Sequence, residues 1–181
     1  QMDEVINSAK GEMSRVVDIV RQDLSTIRTG RATPQLLENL LVEAYGTKMK
    51  LIELASITSP DPQTLLVTPF DEANSVPILK AIEESGMGFT PSINENVVRV
   101  TIPPLSQERR EEFVKLVRTK LEGGKVMIRQ LRHKYMDDVK NAEADEDTII
   151  RLEKELQELT DRVIAEIDAQ GEQKEEELRQ I

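Results

Sequence analysis

From Leu105 to Ala142, apolar or small residues recur at Phe113, Val117, Leu121, Gly124, Ile128, Leu131, Tyr135, Val139 and Ala142. The steps are mostly three and four, the period of a helix with one buried stripe. One helix over 105–142 would be about 57 Å long at 1.5 Å per residue. A chain of 181 residues folded into one ball has a radius of gyration of only about 16 Å. Such a helix must anchor an elongated unit, and it needs partners long enough to cover its stripe.

Two other segments can supply them. Residues 2–28 carry Met2, Ile6, Ala9, Met13, Val16, Val20, Leu24 and Ile27, close to a heptad, and Thr29-Gly30 follows as a stop. After an acidic connection at 141–147, Ile149, Leu152, Leu156, Leu159, Val163 and Ile167 repeat at three and four. Beyond Asp168 the pattern thins to Leu178 and Ile181, which predicts fraying.

Between the first two helices the helical period is mostly lost. Strands are predicted at 40–45, 48–51, 55–59 and 64–68, with turns at Gly46-Thr47 and Pro60-Asp61-Pro62. A short helix at 76–85 turns Ile78, Leu79 and Ile82 inward and stops at Gly86. Ser92-Ile93 and 97–102 form a hairpin around Asn94-Glu95-Asn96, with Val98, Val100 and Ile102 on one face. Pro103-Pro104 closes the segment, and Ser106 is placed to cap the long helix. The fold class is therefore α+β with two domains. Residues 1–30 and 105–181 form a long antiparallel three-helix bundle, and 31–104 an inserted α+β domain. Two backbone crossings join them, near Arg31 and Pro104, which is the anatomy of a hinge.

The formal charge of −10 argues against a polyanion partner, but it is unevenly spread. Residues 107–134 hold 9 Lys+Arg against 4 Asp+Glu, whereas 135–181 hold 6 against 16. Within the basic part, Arg118, Lys125, Arg129 and Arg132 are spaced seven, four and three apart and share one helix face. A coiled-coil flank paired to acids of the third helix, such as Glu153, Glu155 and Glu158, would look the same. Favouring RNA, only Glu122 interrupts the stretch 113–136, and arginine suits bidentate phosphate contacts. Gly123-Gly124 lies inside the same helix and reads as close packing, at roughly 1 kcal/mol per glycine relative to alanine.

Catalysis has little to rest on. His133 is the only histidine and there is no cysteine. That excludes thiolate metal sites, disulfides and the paired Glu-x-x-His motifs of di-iron bundles. Neither G-x-x-x-x-G-K-[ST] nor G-x-G-x-x-G occurs, and no nucleophilic triad can be assembled. No enzyme, metal or cofactor is expected. No apolar run approaches a membrane span, no signal peptide is expected, and the cysteine count fits a reducing, cytoplasmic setting.

A series of short motifs runs along the chain: Ile27-Arg28-Thr29-Gly30-Arg31-Ala32, Val42-Glu43 with Tyr45-Gly46, and Leu54-Ala55-Ser56. It continues with Pro103-Pro104-Leu105, Glu108-Arg109-Arg110, Val126, Ile128-Arg129, Arg132 and Leu159-Thr160-Asp161. In these residues the chain resembles the ribosome recycling factor family over essentially its full length. The resemblance implies a three-helix bundle and an inserted domain arranged as an L. It implies a monomeric translation factor that binds the post-termination ribosome on the large subunit. With elongation factor G and GTP it would split the ribosome and release messenger RNA. Ribosomal RNA would meet Arg110, Arg118, Lys125, Arg129 and Arg132, and the hinge would comprise Gly30, Arg31, Ala32, Pro103, Pro104 and Leu105. The chain departs from the family in Gln130-Leu131-Arg132-His133-Lys134, where Asn-x-Arg-Arg-Asp is common, and in Gly124-Lys125, where Ala-Arg is common. The acidic third helix is expected to point away from the RNA face. The alternative is an acidic helical interaction or chaperone-like protein whose β module serves oligomerisation.

Overall fold

The structure is a computed structural model and describes residues 3–179; Met2 and Ile181 of the predicted stripes lie outside the described residues. Its chain divides into two compact units, one containing residues up to Arg28 and from Gln107 on, the other Thr29–Ser106.

The first unit holds three long helices: α1 (Asp3–Ser25), and, after the inserted segment, α5 (Gln107–Lys140) and α6 (Glu146–Arg179). Helix α5 has 34 residues, about 51 Å at the helical rise. Its buried residues Val117, Gly124, Ile128, Tyr135 and Val139 fall on the predicted stripe, and Met136 joins them. In α1, Ala9, Met13, Val16, Val20 and Leu24 are buried, as is Val17, which a strict heptad omits. Contacts of α5 with α6 pair Arg118 with Glu175 and Arg132 with Gln157, so the two run antiparallel. Contacts with α1 pair Tyr135 with Glu12, and Gly124 with Val20. The predicted fraying past Asp168 does not occur in the described residues. Helix α6 continues to Arg179, with Gly171 against the Leu121 side chain and Leu178 fully buried. A small residue and one well-placed leucine keep the helix packed where the apolar period has weakened.

The second unit runs α2 (Gln35–Glu38), β1 (Leu41–Ala44), β2 (Thr47–Lys50), α3 (Leu51–Leu54), β3 (Ala55–Asp61), β4 (Thr64–Pro69), a 3-10 turn at Glu72–Asn74, α4 (Ser75–Glu84), β5 (Thr90–Asn94) and β6 (Val97–Thr101). Strands β1 and β2 form one antiparallel hairpin, and the other four an antiparallel sheet ordered β3-β4-β6-β5. Leu65 and Val67 of β4, Val98 and Val100 of β6, and Ile78 and Ile82 of α4 belong to one buried core.

Several local expectations shift by a residue or two for identifiable reasons. The first hairpin turns at Tyr45-Gly46 rather than Gly46-Thr47, with φ of 54° and 74°. Two positive φ values in a row are what a tight hairpin of right-handed twist requires. Tyrosine is an uncommon occupant, and here its hydroxyl donates to Asp71 Oδ2 at 2.8 Å and accepts from Asn74 Nδ2 at 3.1 Å. The second hairpin turns the same way at Glu95-Asn96, with φ of 48° and 69°. Pro60 and Asp61 lie in β3 instead of a turn. The register slips between Thr58 and Asp61, and prolines are accommodated at such irregularities. Helices α2 and α3 have four residues each, too few to show a period.

Candidate nucleic-acid interface

Helix α5 buries its apolar stripe between α1 and α6, which leaves two flanks. Arg118, Lys125 and Arg132 stand on the flank toward α6, and Arg129 lies one turn from its neighbours on the same side. Antiparallel packing sets an α6 residue opposite each of the first three. Arg118 Nε donates to Glu175 Oε1 at 3.0 Å, Lys125 Nζ pairs with Asp168, and Arg132 Nε donates to Gln157 Oε1 at 2.7 Å. Arg129 turns back along its own helix to Glu122 Oε1 at 3.1 Å. The structure therefore sets Arg118, Lys125 and Arg132 along one seam, while Arg129, on the same face of α5, is paired within its own helix. Arg110 is half-buried at the start of α5, eight positions before Arg118.

The seam corrects one expectation. Helix α6 does not turn its acids elsewhere, because Asp168 and Glu175 line the stripe itself. The acids singled out in the sequence are not the partners. Glu155, for instance, holds Arg151 of its own helix at 2.9 Å. Residues flanking the core of two antiparallel helices must face each other, as e and g positions do in a coiled coil. A shallow cleft of about 350 Å³ between α5 and α6 is lined on one side by Arg118 and Lys125 and on the other by Asp168 and Glu175. Its mixed charge makes it a poor anion pocket. On the outer edge the Arg118 and Arg129 side chains are 69% and 55% exposed, and Glu122, the partner of Arg129, is 63% exposed.

The Arg129–Glu122 pair, exposed on both sides, is worth about 0–1 kcal/mol. Exchanging that carboxylate for a phosphate oxygen costs little, and such an exchange releases counterions from the nucleic acid. Glu175 and Lys125 are only 12% and 19% exposed, so the Arg118 and Lys125 pairs are more shielded from water.

The opposite flank of α5 faces α1. Glu12 accepts from the buried Tyr135 hydroxyl and from Lys134 Nζ, the latter at 3.4 Å. The Tyr135 hydroxyl, and then Lys134, hold the Glu12 carboxyl below its usual range. Burial, followed by the bond to Glu12, pushes the Tyr135 hydroxyl up. Lys134 is raised chiefly by its bond to Glu12. Lys134, a departure from the family pattern, is thereby placed away from the stripe, and His133 is exposed with Asp137 at 3.6 Å. Neither this cluster nor Gln157 was singled out in the sequence. The signal available was a tyrosine at a core position, whose hydroxyl needs a partner when buried.

At the junction of the units, Gly30 is buried with φ 79°, a left-handed value suited to glycine. Ala32 is tied to the inserted unit: its N–H donates to Pro62 O at 2.7 Å, and its carbonyl accepts from Ser59 Oγ at 2.8 Å. Arg28 is half-buried, and burial lowers its guanidinium value. Pro103 and Pro104 are exposed, and Leu105 half-buried. Among the described residues no group of three or more His, Cys, Asp or Glu could hold a metal ion, and no helix is long and apolar enough to cross a membrane.

A family model for the ribosome recycling factor matches residues 20–178, through both units. The chain belongs to the ribosome recycling factor family. Ribosome-recycling factors from Chloroflexus aggregans and Cutibacterium acnes are each 41% identical over 99% of this chain and 100% of their own. That from a Geobacillus species is 42% identical over 98% of each chain. A solution structure of the ribosome recycling factor superposes with a TM-score of 0.70, at 32% identity, over 99% of this chain and 98% of its own. The Thermus thermophilus ribosome recycling factor, as placed with Escherichia coli elongation factor G on the Escherichia coli post-termination complex, gives a TM-score of 0.61 at 37% identity, over 98% of each chain. Ribosome recycling factors are translation factors and not enzymes. That membership decides between the two readings the sequence left open, against the chaperone-like one.

Proposed function

We propose that this protein binds the post-termination ribosome and, with elongation factor G and GTP, splits it into subunits and frees the messenger RNA. The observation that carries this is the family match from residue 20, near the end of α1, through the inserted unit and α5 to residue 178 of α6. The related factor placed beside elongation factor G on a post-termination complex supports the same partners here.

In this reading the bundle is the ribosome-binding body, and the large-subunit ribosomal RNA is its ligand. Arg118, Lys125, Arg129 and Arg132 meet phosphates from the outer edge of the α5–α6 seam, with Arg110 extending the contact toward the start of α5. The domains are 1–30 with 105–181, and 31–104. They pivot through Gly30, Arg31, Ala32, Pro103, Pro104 and Leu105. Because Ala32 is bonded into the inserted unit, most of the bending falls on Gly30-Arg31 and on the residues before them. The protein works as a monomer in the cytoplasm.

The test is polysome breakdown with purified components. The protein, elongation factor G and GTP together should convert polysomes to subunits, and omission of any one should stop it. Polysomes that persist with all three present would contradict the proposal.

A further inference from the structure

The four stripe cations are not held alike. Arg118, Lys125 and Arg129 each meet a carboxylate, whereas Arg132 meets the neutral amide of Gln157. Gln157 stands on a helix crowded with acids, between Glu155 and Glu158, so a neutral residue there is conspicuous.

The geometry fixes which end of the amide faces Arg132. Gln157 Nε2 donates to Asp161 Oδ1 at 2.9 Å, one helical turn on. With the NH2 end committed to a carboxylate, the carbonyl oxygen Oε1 is left to accept Arg132 Nε–H at 2.7 Å. The reverse orientation would set NH2 against guanidinium and oxygen against carboxylate. The bond uses Nε and leaves the two terminal NH2 groups of Arg132, the pair able to fork onto a phosphate. Arg132 and Gln157 are both half-buried and Asp161 is exposed, so the inner bond is more shielded from water than the outer one.

We propose that Gln157 is the positioning residue of the Arg132 contact to RNA: it orients the guanidinium while leaving its charge uncancelled. This rests on the reading of the α5–α6 edge as the RNA-binding face. It implies that Arg132, alone among the four, approaches phosphate with no competing carboxylate bonded to it. A glutamate at position 157 would pair with Arg132 directly and compete with phosphate. An apolar side chain there would leave the charge and remove the orientation.

The experiment is co-sedimentation of the full-length protein with purified bacterial large ribosomal subunits, from about 50 to about 200 mM monovalent salt. The variants are Arg132→Gln, Gln157→Glu, Gln157→Met and the double variant Arg132→Gln/Gln157→Glu, with helix content read on the same samples. Gln157→Glu should weaken binding by about tenfold and lower the log–log salt slope by about 1, as Arg132→Gln does. The double variant should bind no worse than Arg132→Gln alone, since the two act on one contact. Gln157→Met should weaken binding with its slope unchanged, which separates orientation from charge. If Arg132→Gln is defective while both Gln157 variants bind like wild type, the positioning role is wrong and the RNA edge stands. If Arg132→Gln itself binds like wild type, the edge is wrong and the positioning role falls with it. Additive losses in the double variant, or loss of helix content in both Gln157 variants, would make Gln157 a packing residue and overturn the proposal.

Discussion

Toward α1, helix α5 offers Tyr135 and Lys134, and both converge on one carboxylate, Glu12. Toward α6 it offers Arg118, Lys125 and Arg132, each with its own partner. The first flank is built around a hydroxyl that is 6% exposed at the residue level, and a buried hydroxyl without a partner is costly. The second is built from cations paired across a partly open cleft, with Arg118 69% exposed and Lys125 19%. In the proposed reading, one helix spends one flank on cohesion and offers the other to RNA. Sequence periodicity shows both flanks as polar; which of them is committed depends on what the neighbouring helix places opposite.

The largest effect should come from reversing a charge on the available flank. Arg132→Glu is expected to abolish large-subunit binding, by more than about a hundredfold, with the circular dichroism spectrum unchanged. Co-sedimentation at wild-type levels would show that the flanks do not differ as described.

Next come the adjacent glycines of α5, one buried in the core between the flanks and one in open space. A Cβ on Gly124 would sit 2.5 Å from Val20 Cγ2, whereas one on Gly123 would meet nothing within 4 Å. Val20 is β-branched and stiff, so Gly124→Ala should destabilise by about 1–3 kcal/mol through overpacking. Gly123→Ala should stabilise by about 0.5–1 kcal/mol, because an interior helical glycine is replaced at no steric cost. Denaturant midpoints moving in the same direction for both would break the assignment of buried and open faces.

A smaller effect should separate the flanks by pH. Glu12 titrates lower in the fold than its ordinary 4.5. Its contribution to stability is complete above that value and is lost as pH falls through the depressed one. Tyr135 titrates above its ordinary 10.0, so its contribution is present below that value and is lost as pH rises through the raised one. Tyr135→Phe should lower the thermal midpoint at neutral pH and flatten the profile at both ends. Gln157→Met should leave the shape of the profile as in wild type. Thermal scans between about pH 3 and about pH 11 check both.

Much of this was legible in the chain. Three long amphipathic segments, a β-rich insert and a basic face on the second helix follow from residue spacing, because burying an apolar stripe is a local, periodic demand. Leu178 shows where that reading ends. It follows a charged run, and the packing of Gly171 against Leu121 shows the helix still held to its neighbour about two turns before it. Tyr45 in a left-handed turn is a second case, held by Asp71 and Asn74 from more than 25 positions away. The partners of the stripe were the least legible. Asp168, Glu175 and Gln157 are chosen by antiparallel register, and one turn of register would have brought other acids opposite.

The claim that one flank of α5 is the RNA edge is most directly tested by neutralising one cation on each side. Arg132→Gln and Lys134→Gln differ by two positions and remove the same charge. In a salt titration of large-subunit binding, Arg132→Gln should lower the slope by about 1 and Lys134→Gln should leave it at the wild-type value. Equal losses of slope, or a loss confined to Lys134→Gln, would contradict the account.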